Sequence, residues 1–137
     1  MKQLIVLVGL PGSGKSTICA PLERQGYVRI SQDDQGKEGH KELFKQNLEL
    51  GKDMIIDRCN FDKKQRGRYL EPAKQAGYKT SIIWLQVGPE ECIKRINGRE
   101  SHPNLAKGNT KISEVVYMFD KMFVTPTLDE ADEVIVL

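Results

Sequence analysis

Apolar runs of four to eight residues alternate along this chain with longer stretches whose apolar residues recur every three or four positions. Leu4–Val8 has no polar alternation, which predicts a strand covered on both faces. A helix is expected from about Lys15 to Gln25, ended by Gly26. Tyr27–Ile30 reads as a short second strand running into Ser31-Gln32-Asp33-Asp34. The next helix, about Lys37 to Leu50, carries Leu43, Phe44, Leu48 and Leu50 as its apolar positions, with Gly51 as terminator. Asp53–Asp57 predicts a buried third strand, and Asp62–Ala76 a helix with Asp62 as N-cap and Gly77 just past its end. Thr80–Val87 is a fourth strand, followed by a helix with Pro89 near its first turn and Ile96 near its end. Asn97–Asn109 is a polar, basic loop. Ile112–Phe123 is helical, because Ile112, Val115, Val116, Phe119, Met122 and Phe123 share one side, and Glu133–Leu137 is a fifth strand. This alternation predicts βαβ units: one α/β domain, residues 1–137, with a five-stranded parallel sheet flanked by helices.

Composition narrows the class without naming a function. The length of 137 residues fits one domain, and 39% hydrophobic with 29% charged residues is ordinary for a soluble protein. No apolar run approaches the ~20 residues of a membrane span. Leu4–Val8 is too short for a signal peptide's apolar region and leads straight into a loop motif. Three scattered cysteines, Cys19, Cys59 and Cys92, indicate neither a disulfide framework nor a zinc site, so cytosol or nucleus is the expected compartment. The net charge is only +2, but its distribution is uneven. Seven basic residues face two acidic ones from Arg58 to Lys79, and five face Glu100 from Lys94 to Lys111. Such clusters mark either a local anion site or solvated helix faces.

The strongest chemical signal is Gly9-Leu10-Pro11-Gly12-Ser13-Gly14-Lys15-Ser16, which matches G-x-x-x-x-G-K-[ST] at every fixed position. A strand precedes it and a helix follows, as a P-loop requires. Glycines let successive N–H groups turn toward phosphate oxygens, and the helix N-terminus adds partial positive charge. Gly9, Pro11, Gly12, Ser13, Gly14, Lys15, Ser16 and Thr17 are therefore the expected nucleotide-binding residues, with Lys15 on the β- and γ-phosphates and Ser16 on Mg²⁺. A P-loop also serves switches and motors. The chain has no N-K-x-D guanine-reading motif and little length for a motor's sensing elements, which favours a kinase. The loop at about 97–110 lies where a P-loop kinase closes a lid, and an arginine there can neutralise charge on the transferring phosphoryl group.

Other candidates are less specific. Asp33 and Asp34 follow the second strand, at the carboxyl edge where open α/β sheets bind ligands, and base catalysis, a turn or capping of the next helix would use them. Asp57 ends a hydrophobic strand as a Walker-B aspartate does, so it is a candidate for Mg²⁺ or for holding a loop. Asn60, His40 and His102 read as loop or surface residues with no assigned role.

Taken together, these segments resemble the polynucleotide 5′-hydroxyl kinase family: the phage polynucleotide kinase and the kinase domain of polynucleotide kinase-phosphatases. The resemblance runs through Gly9–Ser16, Gly26–Asp33, Gly51–Asn60, Arg66–Tyr69, Lys94–Arg99 and Phe123–Leu128. It implies that Asp33 is the general base, that Arg99 is the lid arginine on the transferring phosphate, and that Arg95 matches a second family arginine. The family's D-x-T-N-like segment falls on Asp57-Arg58-Cys59-Asn60. There are departures on the acceptor side. Ser31-Gln32 replaces Asn-Arg, Cys59 replaces a threonine that helps hold acceptor phosphate, and an arginine soon after the base has no counterpart at Gln35-Gly36. Arg58, Lys63, Lys64, Arg66 and Arg68 are the basic residues available to compensate.

The resemblance implies a reaction in which ATP with Mg²⁺ phosphorylates a 5′-OH end of RNA or DNA. Two alternatives stand beside it. One is a kinase of a small metabolite hydroxyl (nucleoside, sugar acid or adenylylsulfate); the other is a nucleotide-dependent binding module without transfer activity.

Overall fold

The computed structural model describes residues 2–98 and 110–137. Five strands, β1 (Gln3–Val8), β2 (Val28–Ile30), β3 (Met54–Ile56), β4 (Lys79–Trp84) and β5 (Glu133–Val136), form one sheet in the order β2-β3-β1-β4-β5. Every pairing is parallel, with Leu4 opposite both Met54 and Thr80. Among the described residues six helices accompany it: α1 (Lys15–Arg24), α2 (Gln32–Gln35), α3 (Lys37–Leu50), α4 (Lys63–Gln75), α5 (Pro89–Asn97) and α6 (Thr110–Met122). The expected fold, a five-stranded parallel sheet with flanking helices, is the observed one.

Alternate residues of the apolar strands serve two different cores. Leu4, Val6, Met54 and Ile56 pack with Phe44 of α3 and with Tyr69, Leu70 and Ala73 of α4. Ile5, Leu7 and Ile55 pack with Ile18, Cys19 and Leu22 of α1 on the opposite face. This explains why the strand residues show no polar alternation. Topology then positions the site. The connection after β1 runs to β2, whereas the connection after β3 crosses to β4 on the other side. Neighbouring strands that send the chain in opposite directions open a crevice at their carboxyl ends, here between β1 and β3.

Local signals behave as their chemistry requires. Asp62 Oδ1 accepts the Gln65 N–H at 2.8 Å as the N-cap of α4, and Pro89 sits in the first turn of α5. Several boundaries shift by a residue or more, and one element was not expected. β4 ends at Trp84 rather than Val87, because the apolar run changes partners: Val87 packs with Leu10, Cys92, Ile96, Ile112 and Val116 beneath α5 and α6. β3 is trimmed to Met54–Ile56, and Asp53 instead accepts the Gln3 N–H at 2.9 Å. The single turn α2 has no buried residue and hence no periodic signal. Gln35 holds it, accepting from Ser31 N–H at 2.8 Å and donating to Arg29 O at 2.9 Å.

Candidate functional site

From Val8 the chain turns through the glycine-rich loop into α1, and the Ser13 N–H closes the turn on Leu10 O at 3.1 Å. Gly12 is required twice over. Its φ of 84° is left-handed, and a Cβ there would lie 2.7 Å from Cys92 O and 2.8 Å from Ile96 Cγ1. Gly14, with φ 99°, precedes α1 without a side-chain cap, which leaves the helix's positive end for an anion. Lys15 is buried, and its ammonium donates to Gly9 O at 2.9 Å and Leu10 O at 2.8 Å. Ser16 and Thr17 are exposed, and the Thr17 hydroxyl donates to Gly14 O at 2.6 Å. Arg95 of α5 reaches the same loop, donating from Nη1 to Ser13 O at 3.2 Å and from Nε to Glu91 at 3.3 Å.

The end of β3 is fastened to this loop. Cys59 O accepts the Gly9 N–H at 3.1 Å, and Asn60 Nδ2 donates to Leu7 O at 2.6 Å and Arg58 O at 3.1 Å. Asn60 adopts φ 49°, a left-handed conformation that asparagine tolerates. It is buried rather than a surface residue, and its Oδ1 is buried without a hydrogen-bond partner among the described residues. Burial holds the Cys59 thiol above the ordinary cysteine value; Lys15 and Arg58 oppose that shift and Asp33 adds to it.

Asp57 is buried and ion-paired. Arg29 of β2, which the sequence did not single out, donates to its Oδ2 from Nε at 2.8 Å and also from Nη2. The same guanidinium reaches Asp34 through Nη1. The nearby Cys19 thiol is pushed up to about 12, first by burial and then by Asp57. Neither Asp33 nor Asp34 is an N-cap, since Ser31 precedes α2 and Gly36 precedes α3, so that alternative is overturned; both do lie in the single turn of α2. Asp33 is exposed and makes no hydrogen bond or ion pair among the described residues.

These pieces surround one cavity of about 520 Å³, lined by Pro11, Gly12, Gly14, Lys15, Ser16 and Thr17 on one side and by Asp33, Asp57, Arg58 and Asn60 on the other. Phe61, Gln65 and, from α6, Val115 and Phe119 complete the wall. Arg99, most of the expected lid at 97–110, and His102 lie outside the described residues.

A family model described as an AAA domain matches residues 4–38 and 35–115, a span from β1 to α6 that includes the whole glycine-rich loop. The chain belongs to this family. Among curated relatives of this AAA domain, transcription factor bHLH140 of Arabidopsis thaliana is 32% identical over 142 residues, covering 96% of this chain and 15% of that protein. The bifunctional polynucleotide phosphatase/kinase of Schizosaccharomyces pombe is 28% identical over 132 residues, covering 94% of this chain and 31% of that protein. The AAA domain thus spans less than a third of the length of either relative. Of solved structures, a fungal RNA kinase superposes with a TM-score of 0.74 at 17% identity, over 99% of this chain and 73% of that one. A gluconokinase from Sinorhizobium meliloti 1021 gives 0.69 at 17%, over 98% and 81%. At these identities the structures establish a shared P-loop kinase fold, and the resemblance to the polynucleotide kinase family stands.

The basic cluster of the AAA domain is divided between buried and exposed members. Arg66 is wholly buried, bonded to Glu130 from Nε at 2.8 Å and Nη2 at 3.3 Å and to Asn60 O at 2.9 Å, so it has no access to a ligand. Burial alone would raise the Glu130 pKa, but hydrogen bonds from Arg66 and the Thr127 N–H outweigh it and the net direction is down. Lys63, Lys64 and Arg68 are exposed on α4. His40, expected as a loop or surface residue, is buried inside α3. Among the described residues no group of three or more His, Cys, Asp and Glu side chains could hold a metal. Ser16 and Asp57 line the cavity, and they offer the one or two protein oxygens that a Mg²⁺ shared with nucleotide phosphates needs. None of the helices is long and apolar enough to cross a membrane, among the described residues.

Proposed function

We propose that this domain transfers the γ-phosphoryl group of ATP to the 5′-hydroxyl end of RNA or DNA. The observation that carries the reading is a cavity lined by both a P-loop lysine and an exposed carboxylate that has no hydrogen-bond or ion-pair partner among the described residues. The loop residues Gly9, Pro11, Gly12, Ser13, Gly14, Lys15, Ser16 and Thr17 cradle the phosphates, and Arg95 steadies the nucleotide from α5. Lys15 and the lid residue Arg99 stabilise charge that develops on the transferring group. Ser16 and Asp57 would hold Mg²⁺, which neutralises phosphate charge when bound. Asp33 accepts the proton of the attacking hydroxyl as the new P–O bond forms and the bond between the γ-phosphorus and its bridging oxygen breaks. Names carried by relatives and neighbours, polynucleotide phosphatase/kinase and RNA kinase, support this acceptor class.

The test is transfer from γ-labelled ATP to 5′-OH RNA, 5′-OH DNA, nucleosides and sugar acids. Labelled oligonucleotide ends are the expected product. Preferential labelling of a sugar acid or free nucleoside would replace this reading with a metabolite kinase, and no labelled acceptor would leave a nucleotide-binding module.

A further inference from the structure

We infer that Arg29 is a built-in counter-cation of the site: it neutralises Asp57 while no nucleotide is bound, so that a divalent cation is taken up there only together with the nucleotide's phosphates. The inference rests on the assignment of Asp57 to Mg²⁺ above, and it concerns a residue that has no part in that reading. Arg29 acts through Asp57 and is therefore a positioning residue.

Asp57 is almost wholly buried, and a buried carboxylate without a partner is costly. Lys15 does not serve it, because its ammonium is docked on Gly9 O and Leu10 O. Arg29 does. Its Nε donates to Asp57 Oδ2 at 2.8 Å, and its Nη2 donates to the same oxygen. Among the described residues Arg29 is the ion-pair partner of Asp57, and it lines the cavity beside Asp57 and Ser16. A divalent cation brought to Asp57 would meet a guanidinium already bonded to the same carboxylate. That repulsion is offset only when further negative charge arrives with the cation. Phosphates resting on the P-loop supply it.

Both partners are held in place, so the exchange is one of contacts rather than of backbone. The Asp57 N–H donates to Ile30 O at 2.8 Å, which fixes its main chain beside the end of β2. The Arg29 carbonyl accepts from Gln35 Nε2 at 2.9 Å, and its Nη1 pairs with Asp34. The guanidinium thus spans two carboxylates, using three of the N–H groups that its planar fork presents. Asp34 is what makes the exchange feasible. When Arg29 yields Asp57 to an arriving cation it keeps an ionic partner on α2, the turn that carries Asp33, and no charge is left stranded.

The experiment titrates the whole chain with Mg²⁺ alone, without nucleotide, and follows the thermal unfolding midpoint of wild type, Arg29→Gln and Arg29→Gln/Asp57→Asn. A ligand that binds the folded state raises that midpoint. Wild type should respond weakly. Arg29→Gln should start lower, because Asp57 is then buried unpaired, and should regain stability at Mg²⁺ concentrations about ten- to a hundredfold below those wild type needs. The double variant should lose that gain, which assigns it to Asp57 rather than to a surface carboxylate. A merely structural Arg29 predicts the opposite sign, since its loss would loosen the site and leave the Mg²⁺ response weaker or unchanged. Should Arg29→Gln not fold, Arg29→Lys takes its place: it keeps the charge, gives up the fork, and should tighten Mg²⁺ by a smaller factor. Equal Mg²⁺ responses in wild type and the Arg29 variant, or a gain that survives Asp57→Asn, overturn the inference. Failure of wild type to label any acceptor from ATP would instead remove the proposed reaction and leave this binding result intact.

Discussion

The two sides of the cavity are built by different means. The donor side is backbone: a glycine-rich turn, a helix N-terminus, and a lysine docked on the loop's own carbonyls. The acceptor side is made of side chains on short segments, Asp33 on the four-residue α2 and Arg58 and Asn60 just past β3. The turn α2 is held by Gln35 to nearby Ser31 and Arg29, whereas the segment past β3 is placed by partners distant in sequence. Arg29 reaches Asp57, and Tyr69 reaches Arg58 and His40. Backbone cradles tolerate little variation, because a single Cβ at Gly12 meets main chain at 2.7 Å. A side-chain frame can be rebuilt with other residues. The difference predicts a fixed phosphate donor and an acceptor that varies across proteins sharing this fold.

The largest effect should come from the donor side. Lys15→Ala removes a charge assigned to the phosphates, and transfer should fall on the order of a thousandfold or more. Near-normal turnover in a folded variant would end the P-loop assignment. Circular dichroism checks the fold in parallel, because the lysine also satisfies two loop carbonyls.

Asp33→Asn tests the acceptor side at its chemical centre. It keeps the shape but removes the charge and most of the basicity, so kcat should fall by roughly 10²–10⁴ with little change in ATP affinity. Asp34→Asn is the matched control. Asp34 pairs with Arg29 rather than standing unpaired, and its loss should act mildly through the placement of α2. Equal effects of the two substitutions would refute the assignment of the base to Asp33.

What could be read from the chain follows the same division. The five strands, the glycine terminators, the Asp62 cap and the whole P-loop are local signals, each complete within a few residues. The residues that frame the acceptor side are not. His40 meets Tyr69 across 29 positions, Arg29 meets Asp57 across 28, and Arg66 meets Glu130 across 64. Nothing nearby in sequence distinguishes the solvent-facing Arg68 from the wholly buried Arg66 two residues before it. Charge runs were legible, but which of their members face solvent depends on the packing of α4 against the loop before β5.

That packing predicts a stability effect of about 2 kcal/mol for Glu130→Gln, the worth of a charged hydrogen bond, measured by denaturant unfolding at neutral pH. The pH dependence has a definite sign. The folded Glu130 pKa lies below its ordinary value of 4.5, so its contribution is fully present above that value and is lost as pH falls through the folded one. The wild type should therefore lose stability on acidification more steeply than Glu130→Gln. Parallel acid curves for the two proteins would show that the Arg66–Glu130 pair does not support α4.

The smallest effect concerns the outer reach of the acceptor side. If a nucleic acid strand leaves the cavity past Phe61 and Gln65, the exposed Lys63, Lys64 and Arg68 of α4 are the cations it next meets, whereas Arg66 is excluded by burial. Each phosphate neutralised on a single strand releases counterions and contributes roughly −0.7 to the log–log slope of affinity against salt. Replacing these three residues by alanine should flatten the slope by about 2 if each contacts one phosphate, with only a modest loss of affinity at the highest salt. The prediction separates a strand track from a merely solvated helix face. Solvated charges that touch no phosphate would leave the slope of the triple variant equal to that of wild type, and the acceptor contacts would then be confined to Asp33, Arg58 and the cavity itself.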